Sequence, residues 1–169
     1  EPTPETDGGP SSTTIDLESG LLLHFRFDET EVGDTKRDAS DNGHDGVPSV
    51  DPPVPSLFTP PVGFDNPRSL AFDGVSQLVD LGSPEALNIS GNVTIAAWIR
   101  PRAVDGYHNV VAHGFRRDPG GELALRIHDG YYEFLSWTGD DHWARAPVGE
   151  GDLDNWHHIT GVYDRPMYR

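Results

Sequence analysis

Two stretches of this sequence carry side chains that could do chemistry, and the first is an acidic loop. Asp38, Asp41, Asn42 and Asp45 lie close together in the run DASDNGHDG, so one turn-forming segment holds several oxygen ligands. Calcium prefers hard oxygen ligands, about six to eight of them. The spacing is not that of an EF-hand, and a solvated Asx-rich turn explains the same residues. The loop therefore predicts either a calcium site or an ordinary hydrogen-bonded turn.

The second stretch is aromatic and runs from residue 129 to 143. Sugar rings stack on exposed aromatic faces, and nearby polar and charged groups hold the hydroxyls. The predicted ligand-binding residues are Trp137, Asp140, His142 and Trp143. Two alternatives stay open, because Trp137 and one of the adjacent tyrosines fit a core position and Trp143 could cap the core from a loop. The stretch favours a carbohydrate-binding surface over a purely structural one.

Catalytic chemistry has little support in the sequence. A glycosidase needs two carboxylates about 5–9.5 Å apart, but the closely spaced acids of residues 16–18 lie in a tail and those of residues 152–154 lie in a turn. No H-x-H or H-E-x-x-H pattern supports zinc. His157 and His158 are neighbours on a predicted strand and should point to opposite faces. We therefore predict that the chain is not an enzyme and has no catalytic residues.

Composition limits the partners as well as the fold. The chain has 169 residues, 35% of them hydrophobic, which suits one domain with a core and a tail. Its net charge of −16 disfavours nucleic acid and anionic membranes and favours cations such as calcium. No apolar run approaches the ~20 residues that a transmembrane helix needs. Cysteine is absent, so disulfides play no part.

The elements that must position these residues are short strands. Val93–Ile99 alternates between apolar Val93, Ile95, Ala97 and Ile99 on one face and Thr94, Ala96, Trp98 and Arg100 on the other. Further strands are predicted over residues 21–28, 69–72, 77–81, 108–115, 122–128, 131–137 and 156–163. Asp129-Gly130 between two alternating runs indicates a tight hairpin. Residues 138–144 are predicted to be a polar loop, and no helix is predicted.

Burial follows from the same pattern. We expect Phe72, Trp98 and Leu125 to be buried. Leu57, Phe58 and Phe64 are predicted to anchor the proline-rich connection over residues 47–67, whose proline density excludes a central strand.

Four sequence blocks resemble the laminin-G-like, concanavalin A-type jellyroll family in the right order. They are Gly20–Asp28 (GLLLHFRFD) with the loop at Asp38–Gly46, Ser69–Leu81 with Val93–Pro101, His108–Ile127, and Trp156–Asp164 (WHHITGVYD). The resemblance implies an all-β sandwich of two antiparallel sheets, commonly stabilised by calcium. It also implies a secreted or cell-surface setting and the binding of carbohydrate or protein.

The resemblance carries two further expectations. The opening strand and the Phe72-Asp73-Gly74 turn should bring Asp28, Asp38 and Asp73 together as structural calcium ligands. The family continues with further strands beyond the match at Trp156–Asp164, so residues 20–169 are expected to form a C-terminally incomplete domain after a disordered linker over residues 1–19. The resulting open edge beside residues 156–163 would accept a strand from a second chain.

The sequence thus predicts a non-catalytic, extracellular carbohydrate-binding module of a larger secreted or surface protein. The alternative is a structural, adhesion or filament subunit that binds protein partners. A glycoside-active enzyme ranks third.

Overall fold

Short alternating segments, separated by glycine- and proline-rich turns, produce a chain that is almost entirely β-structure. The computed structural model describes residues 19–89, 91–114, 122–137, 141–164 and 167–168. The predicted linker over residues 1–19 lies outside these ranges except for Ser19. A 3₁₀ turn at Glu85–Leu87 is the one helical element among the described residues.

Eleven strands follow one another along the described ranges. They are β1 Val47–Pro48, β2 Val54–Ser56, β3 Ser69–Ala71, β4 Val79–Asp80, β5 Val93–Ile99, β6 Tyr107–His113, β7 Glu122–His128, β8 Tyr131–Trp137, β9 Asp141–Pro147, β10 His157–Asp164 and β11 Met167–Tyr168. One sheet has the order β6-β7-β8-β9 and another the order β11-β10-β5, while β1–β4 and β2–β3 form two small pairs. All pairings are antiparallel, which confirms the predicted all-β sandwich.

The four-stranded sheet is organised by the Asp129-Gly130 turn. The φ angles of Asp129 and Gly130 are 45° and 82°, the left-handed values that a two-residue hairpin turn of this type requires. The Asp129 carboxylate accepts a hydrogen bond from Gly106 N at 2.8 Å, and Gly130 N donates to Val104 O at 2.8 Å. The hairpin tip is therefore fastened to the loop that leads into β6.

The core lies between the two larger sheets. Leu125 and Phe134 are directly paired across β7 and β8, and Ile159 meets them from β10. Burying a large apolar side chain contributes about 1.5–3 kcal/mol, so these residues hold the sheets together. The predicted apolar face of β5 packs against this cluster through Val93, Ile95 and Ile99.

Strand β10 is paired along most of its length on one side only. β5 matches it from His157 to Tyr163, whereas β11 meets it only at Tyr163 and Asp164. Over the rest of that side, no strand among the described residues pairs with β10. The incomplete domain stays a prediction.

The predicted first strand over residues 21–28 is wrong. This segment forms only an isolated bridge between Phe25 and Asp38, and Phe27 has a positive φ of 55° that interrupts extended backbone. Its hydrogen bonds go to the acidic loop instead. His24 N donates to Asp38 Oδ1 at 3.0 Å, and Asn42 Nδ2 donates to Leu21 O at 2.8 Å.

The burial predictions succeeded for Leu125, which is buried, and failed for two aromatic residues. Phe72 is 45% exposed and Trp98 is 39% exposed. Trp98 lies on the side of β5 opposite the core and packs on His158, with ring centroids 5.3 Å apart. A strand alternates its faces whatever the size of the side chains, so the large indole follows its register position rather than its hydrophobicity.

Two loop predictions also need correction. Leu57, Phe58 and Phe64 are exposed and do not anchor the proline-rich connection, in which Pro53 and Pro60 are the buried residues. Most of the predicted loop over residues 138–144 is strand, because β9 begins at Asp141 and pairs with β8. Residues 138–140 lie outside the described ranges.

Candidate functional site

The side of the four-stranded sheet turned away from Leu125 and Phe134 carries a polar and aromatic surface. Three of the rows formed by cross-strand pairing on this side have described side chains. The first row is Tyr107, His128, Tyr131 and Pro147, the second is Asn109, Arg126, Glu133 and Arg145, and the third is Ala112, Ala124, Leu135 and Trp143. We refer to Tyr107, Arg126, His128, Tyr131, Glu133, Trp143 and Arg145 as the outer-face cluster.

Glu133 lies at the centre of this cluster and is only 1% exposed. Arg126 Nε donates to its Oε2 atom at 2.7 Å, and Arg145 Nε pairs with Oε1 from the opposite strand. His128 Nδ1 lies 3.2 Å from the same Oε1 atom. A buried carboxylate is costly unless it is paired and hydrogen-bonded. The pairs that satisfy Glu133 therefore also hold both guanidinium groups in place.

Aromatic rings support the same two arginines. The guanidinium carbon of Arg126 lies 4.9 Å from the ring centre of Tyr107, and that of Arg145 lies 4.1 Å from the ring centre of Trp143. Tyr107 stacks on His128 with centroids 4.0 Å apart. Tyr107, Tyr131 and Trp143 are 60%, 43% and 51% exposed, so the rings remain accessible to a ligand.

The structure places two of the predicted ligand-binding residues on opposite sides of the sheet. Trp143 belongs to the outer-face cluster, whereas His142 precedes it on β9 and by alternation faces the other side of the sheet. Trp137 is the last residue of β8, and its side chain is not among those described. Asp140 lies outside the described residues. Binding by the full predicted set stays a prediction, and Trp143 is the member of the set with a described side chain on this face.

The Arg126–Glu133 pair was missed, although the sequence contains a signal for it. A two-residue turn at Asp129-Gly130 pairs residues that lie equally far from it on either side. Arg126 and Glu133 satisfy that condition and are opposite each other. Arg145 and Tyr107 come from strands whose registers are not fixed by this turn, so their place in the cluster required the fold.

The acidic loop resolves as a hydrogen-bonded turn. Asp38 Oδ1 accepts from Ser40 N at 2.9 Å as well as from His24 N, and Oδ2 accepts from His44 N at 3.0 Å. Asp45 Oδ1 in turn accepts from Asp38 N at 2.9 Å. Burial acts to raise the pKa of Asp38, but the hydrogen bonds from Ser40, His24 and His44 outweigh it and hold the pKa well below its usual range.

The two other predicted calcium ligands are also engaged within the protein. Asp73 Oδ1 accepts main-chain hydrogen bonds from Val75, Ser76 and Gln77 at 2.8, 3.1 and 3.1 Å. The bonds from Val75 and Gln77 lower the pKa of Asp73. Asp28 pairs with Arg26 Nε at 3.1 Å.

These contacts do not fit a metal centre. A carboxylate surrounded by N–H donors presents their positive ends where a cation would bind. In the part of the chain that the structure describes, no group of three or more His, Asp or Glu side chains could hold a metal ion. Calcium binding by Asp28, Asp38 and Asp73 stays a prediction, and their oxygen atoms are suited to organising turns instead.

The outer-face cluster is suited to binding rather than to holding a metal. Both arginines contact Glu133 through Nε, and each guanidinium carries further N–H donors on its Nη atoms. The rings of Tyr131 and Trp143 supply apolar surface beside these donors. A sandwich with rings and fixed donors on one sheet face is a lectin-like binding module in its general class.

Comparison with known families agrees with this class. A laminin G family model, described as the concanavalin A-like lectin/glucanases superfamily, matches residues 73–168. The chain belongs to this family, as the sequence resemblance indicated. The matched span contains every strand of the two larger sheets.

Comparisons with curated proteins and with solved structures found no relative of the chain. Within the described ranges, no helix is long and apolar enough to cross a membrane.

Proposed function

We propose that this chain is a non-catalytic carbohydrate-binding module of a larger secreted or surface protein, and that the outer-face cluster is its binding site. The observation that carries the proposal is the pairing of a half-exposed Trp143 ring with Arg145, whose guanidinium is held by buried Glu133. An aromatic plane next to fixed donors matches the apolar face and the hydroxyl rim of a sugar ring.

Preorganisation supports the same proposal. A flexible arginine would lose side-chain entropy on binding a ligand, about 0.5–1.5 kcal/mol for a side chain of this kind. Arg126 and Arg145 are already held by Glu133 and by neighbouring rings, so much of this side-chain entropy is lost when the protein folds and not when the ligand binds. The site can therefore bind a polar ligand without first being ordered.

A binding role suits Glu133 better than a catalytic one. A general acid must reach the atom that it protonates. The Glu133 oxygens are instead occupied by Arg126, Arg145 and His128. The carboxylate is placed to hold the arginines, and we propose no reaction at it.

A glycan array followed by titration of the selected sugar tests the proposal. Trp143→Ala should weaken binding about tenfold or more, since loss of an aromatic platform costs about 1–3 kcal/mol. Trp98→Ala is the matched control, because Trp98 is also partly exposed but lies on the other sheet. The control should bind as the parent does.

Two results would count against this function. Absence of binding to every sugar on the array would remove the carbohydrate role. Equal losses for Trp143→Ala and Trp98→Ala would show that the outer-face cluster is not the site. Circular dichroism of both variants separates lost binding from unfolding, and unfolding of Trp143→Ala alone would mean that Trp143 caps the fold.

A second candidate function is the binding of a protein partner at the β10 edge. Most of that edge has no partner strand among the described residues, and a depression of about 330 Å³ lined by Val93, Thr94, Val162 and other residues lies near its end. Exposed edges recruit added strands. Light scattering over a range of concentrations should then show self-association, and hydrogen exchange should slow in β10. A concentration-independent monomer with unchanged exchange would exclude association with itself.

A further inference from the structure

We infer that Lys36 and Glu29 condense into an internal amide bond, so that the folded chain cross-links itself beside the acidic loop. The two side chains, as the structure has them, are the reactants. The Lys36 side chain is fully buried, that of Glu29 is 11% exposed, and Lys36 Nζ lies 3.7 Å from Glu29 Oε2. This modification is separate from ligand binding at the outer-face cluster and does not depend on it.

The residue type at position 36 supports a reactive role. Lys36 is the only lysine in the sequence, and the other basic residues among the 12 lysines and arginines are all arginines. A guanidinium group keeps its proton and is not a nucleophile, whereas a desolvated lysine amine is one. The chain therefore places its one side-chain amine where bulk water does not reach it.

The surrounding structure holds the two side chains close together. Lys36 N donates to Gly46 O, and Gly46 N donates to Lys36 O, both at 2.8 Å. A Cβ atom on Gly46 would overlap the Val79 side chain, so β4 packs directly on this segment. Arg37 N donates to Glu29 Oε1 at 2.8 Å and fixes the carboxylate. Groups held in this way react without the entropy loss of a bimolecular encounter.

The ion pair leaves both facing atoms poorly satisfied. In the part of the chain that the structure describes, Lys36 Nζ and Glu29 Oε2 make no hydrogen bond. Buried charged groups are costly without such bonds. An amide is uncharged, so condensation removes the buried ammonium and the buried carboxylate together, and it releases water from a buried site. Both effects favour the product.

The condensation needs no further reactant. One proton passes from the Lys36 ammonium to Glu29 Oε2, which gives an amine and a carboxylic acid. The Nζ lone pair attacks Cδ of Glu29, and the negative charge moves to Oε1, where Arg37 N–H donates a hydrogen bond. A second proton passes from Nζ to Oε2, the Cδ–Oε2 bond breaks, and water leaves. The product is an amide with one N–H, and nothing is oxidised or reduced.

Intact mass spectrometry of the denatured parent protein is the first test. The mass should be lower than the sequence requires by one water molecule. Amine labelling after denaturation is an independent measurement, because Lys36 holds the only side-chain amine of the sequence and should not react. A full mass with a labelled Lys36, after prolonged incubation of the folded protein, would overturn the inference.

Two variants separate this bond from other losses of water. An aspartate followed by glycine, as at Asp129-Gly130, also loses water when it forms a succinimide. Lys36→Arg keeps the positive charge but cannot form the amide, so it should have its full mass. Glu31→Gln is the matched control, because Glu31 is an exposed carboxylate of the same loop, and it should keep the loss of water. A loss that persists in Lys36→Arg would overturn the inference.

Tryptic digestion of the parent protein locates the bond without any variant. Trypsin cleaves after arginine and after free lysine, so the linked product should be a fragment of residues 27–37 that is one water lighter than its sequence. Its tandem mass spectrum should contain no sequence ions from cleavage between Glu29 and Lys36. This measurement decides the inference if Lys36→Arg does not fold. Complete cleavage after Lys36 would show a free amine and would overturn it.

Discussion

The ring of Phe134 in β8 packs directly against the backbone of Gly161 in β10. A Cβ atom placed on Gly161 would overlap the Phe134 ring and would lie 2.7 Å from the Phe134 Cβ atom. Glycine weakens a strand, and its presence inside one commonly marks a close approach of another group. Here the missing side chain allows the four-stranded and three-stranded sheets to pack around Phe134.

Gly161→Ala should therefore destabilise the domain. The added methyl group must displace either a buried aromatic ring or a strand, and overpacking of this kind costs about 1–3 kcal/mol. Urea unfolding measures the change. Gly151→Ala is the control, since a Cβ atom there meets no heavy atom within 4 Å. Equal midpoints for the two variants would show that the sheets can separate without cost.

Tyr132→Phe tests a hydrogen bond that links β8 to the loop before β10. The Tyr132 hydroxyl donates to Asp152 Oδ2 at 3.0 Å. Burial, together with the hydrogen bond and negative charge of Asp152, raises the pKa of Tyr132 from 10.0 to about 12. The variant should lose about 0.5–1.5 kcal/mol of stability at neutral pH, as measured by chemical denaturation.

The same hydrogen bond predicts the alkaline behaviour of the protein. The folded-state pKa is raised, so the stabilisation is fully present below pH 10.0 and is lost as the pH rises through about 12. Absorbance titration should show one phenol that ionises late, and Tyr132→Phe should remove that phase. A parent titration without a late phase would contradict the assignment.

Asp38→Asn tests whether the acidic loop is held by hydrogen bonds or by calcium. The folded-state pKa of Asp38 lies below its ordinary value of 3.8, so the stabilisation is present above that pH and is lost as the pH falls through the folded-state pKa. The variant should have a lower melting temperature at neutral pH, because its amide nitrogen cannot accept hydrogen bonds. Its melting temperature should also decrease less than that of the parent when the pH is lowered.

Removal of metal ions with EDTA is the second test of this loop. Since Asp38 and Asp73 accept main-chain hydrogen bonds, EDTA should leave the melting temperature of the parent unchanged. A decrease in the melting temperature of the parent on adding EDTA, with no such decrease in Asp38→Asn, would support the calcium site predicted from the sequence.

Lys36 and Glu29 form a buried pair, and removing one partner should destabilise the protein more than replacing both. Lys36 Nζ is fully buried and lies 3.7 Å from Glu29 Oε2, and neither atom has a hydrogen-bond partner among the described residues. Removing one partner of a buried pair costs about 3–5 kcal/mol, whereas an apolar replacement of the pair is often neutral. Glu29→Ala should therefore be strongly destabilising in urea unfolding.

Combining it with Lys36→Met should recover much of that loss, because the unpaired charge is removed as well. A double variant as unstable as Glu29→Ala would show that the Glu29 carboxylate acts through another contact, such as its 2.8 Å hydrogen bond from Arg37 N.

How much of the candidate site could be predicted depended on how far apart its residues lie in the sequence. The β7–β8 hairpin was predicted from Asp129-Gly130, and its register already implied that Arg126 faces Glu133. Trp143 was singled out by its residue type and was placed in a loop, whereas it lies in β9. Its role in binding stays a prediction. Tyr107 could not be placed, since the β-bulge between Asn109 and Val111 shifts the register of β6.

The sequence by itself determined the all-β class, the apolar face of β5 and the hairpin at Asp129-Gly130. These features depend on residues that are near one another in the chain, where alternation and turn chemistry act directly. The tertiary structure alone decided that β5 pairs with β10, that Gly161 meets Phe134, and that Trp98 faces away from the core. It also decided that the oxygen atoms of Asp38 accept N–H groups. Each of these outcomes depends on which distant segments meet, and a local pattern of residue types is compatible with several such pairings.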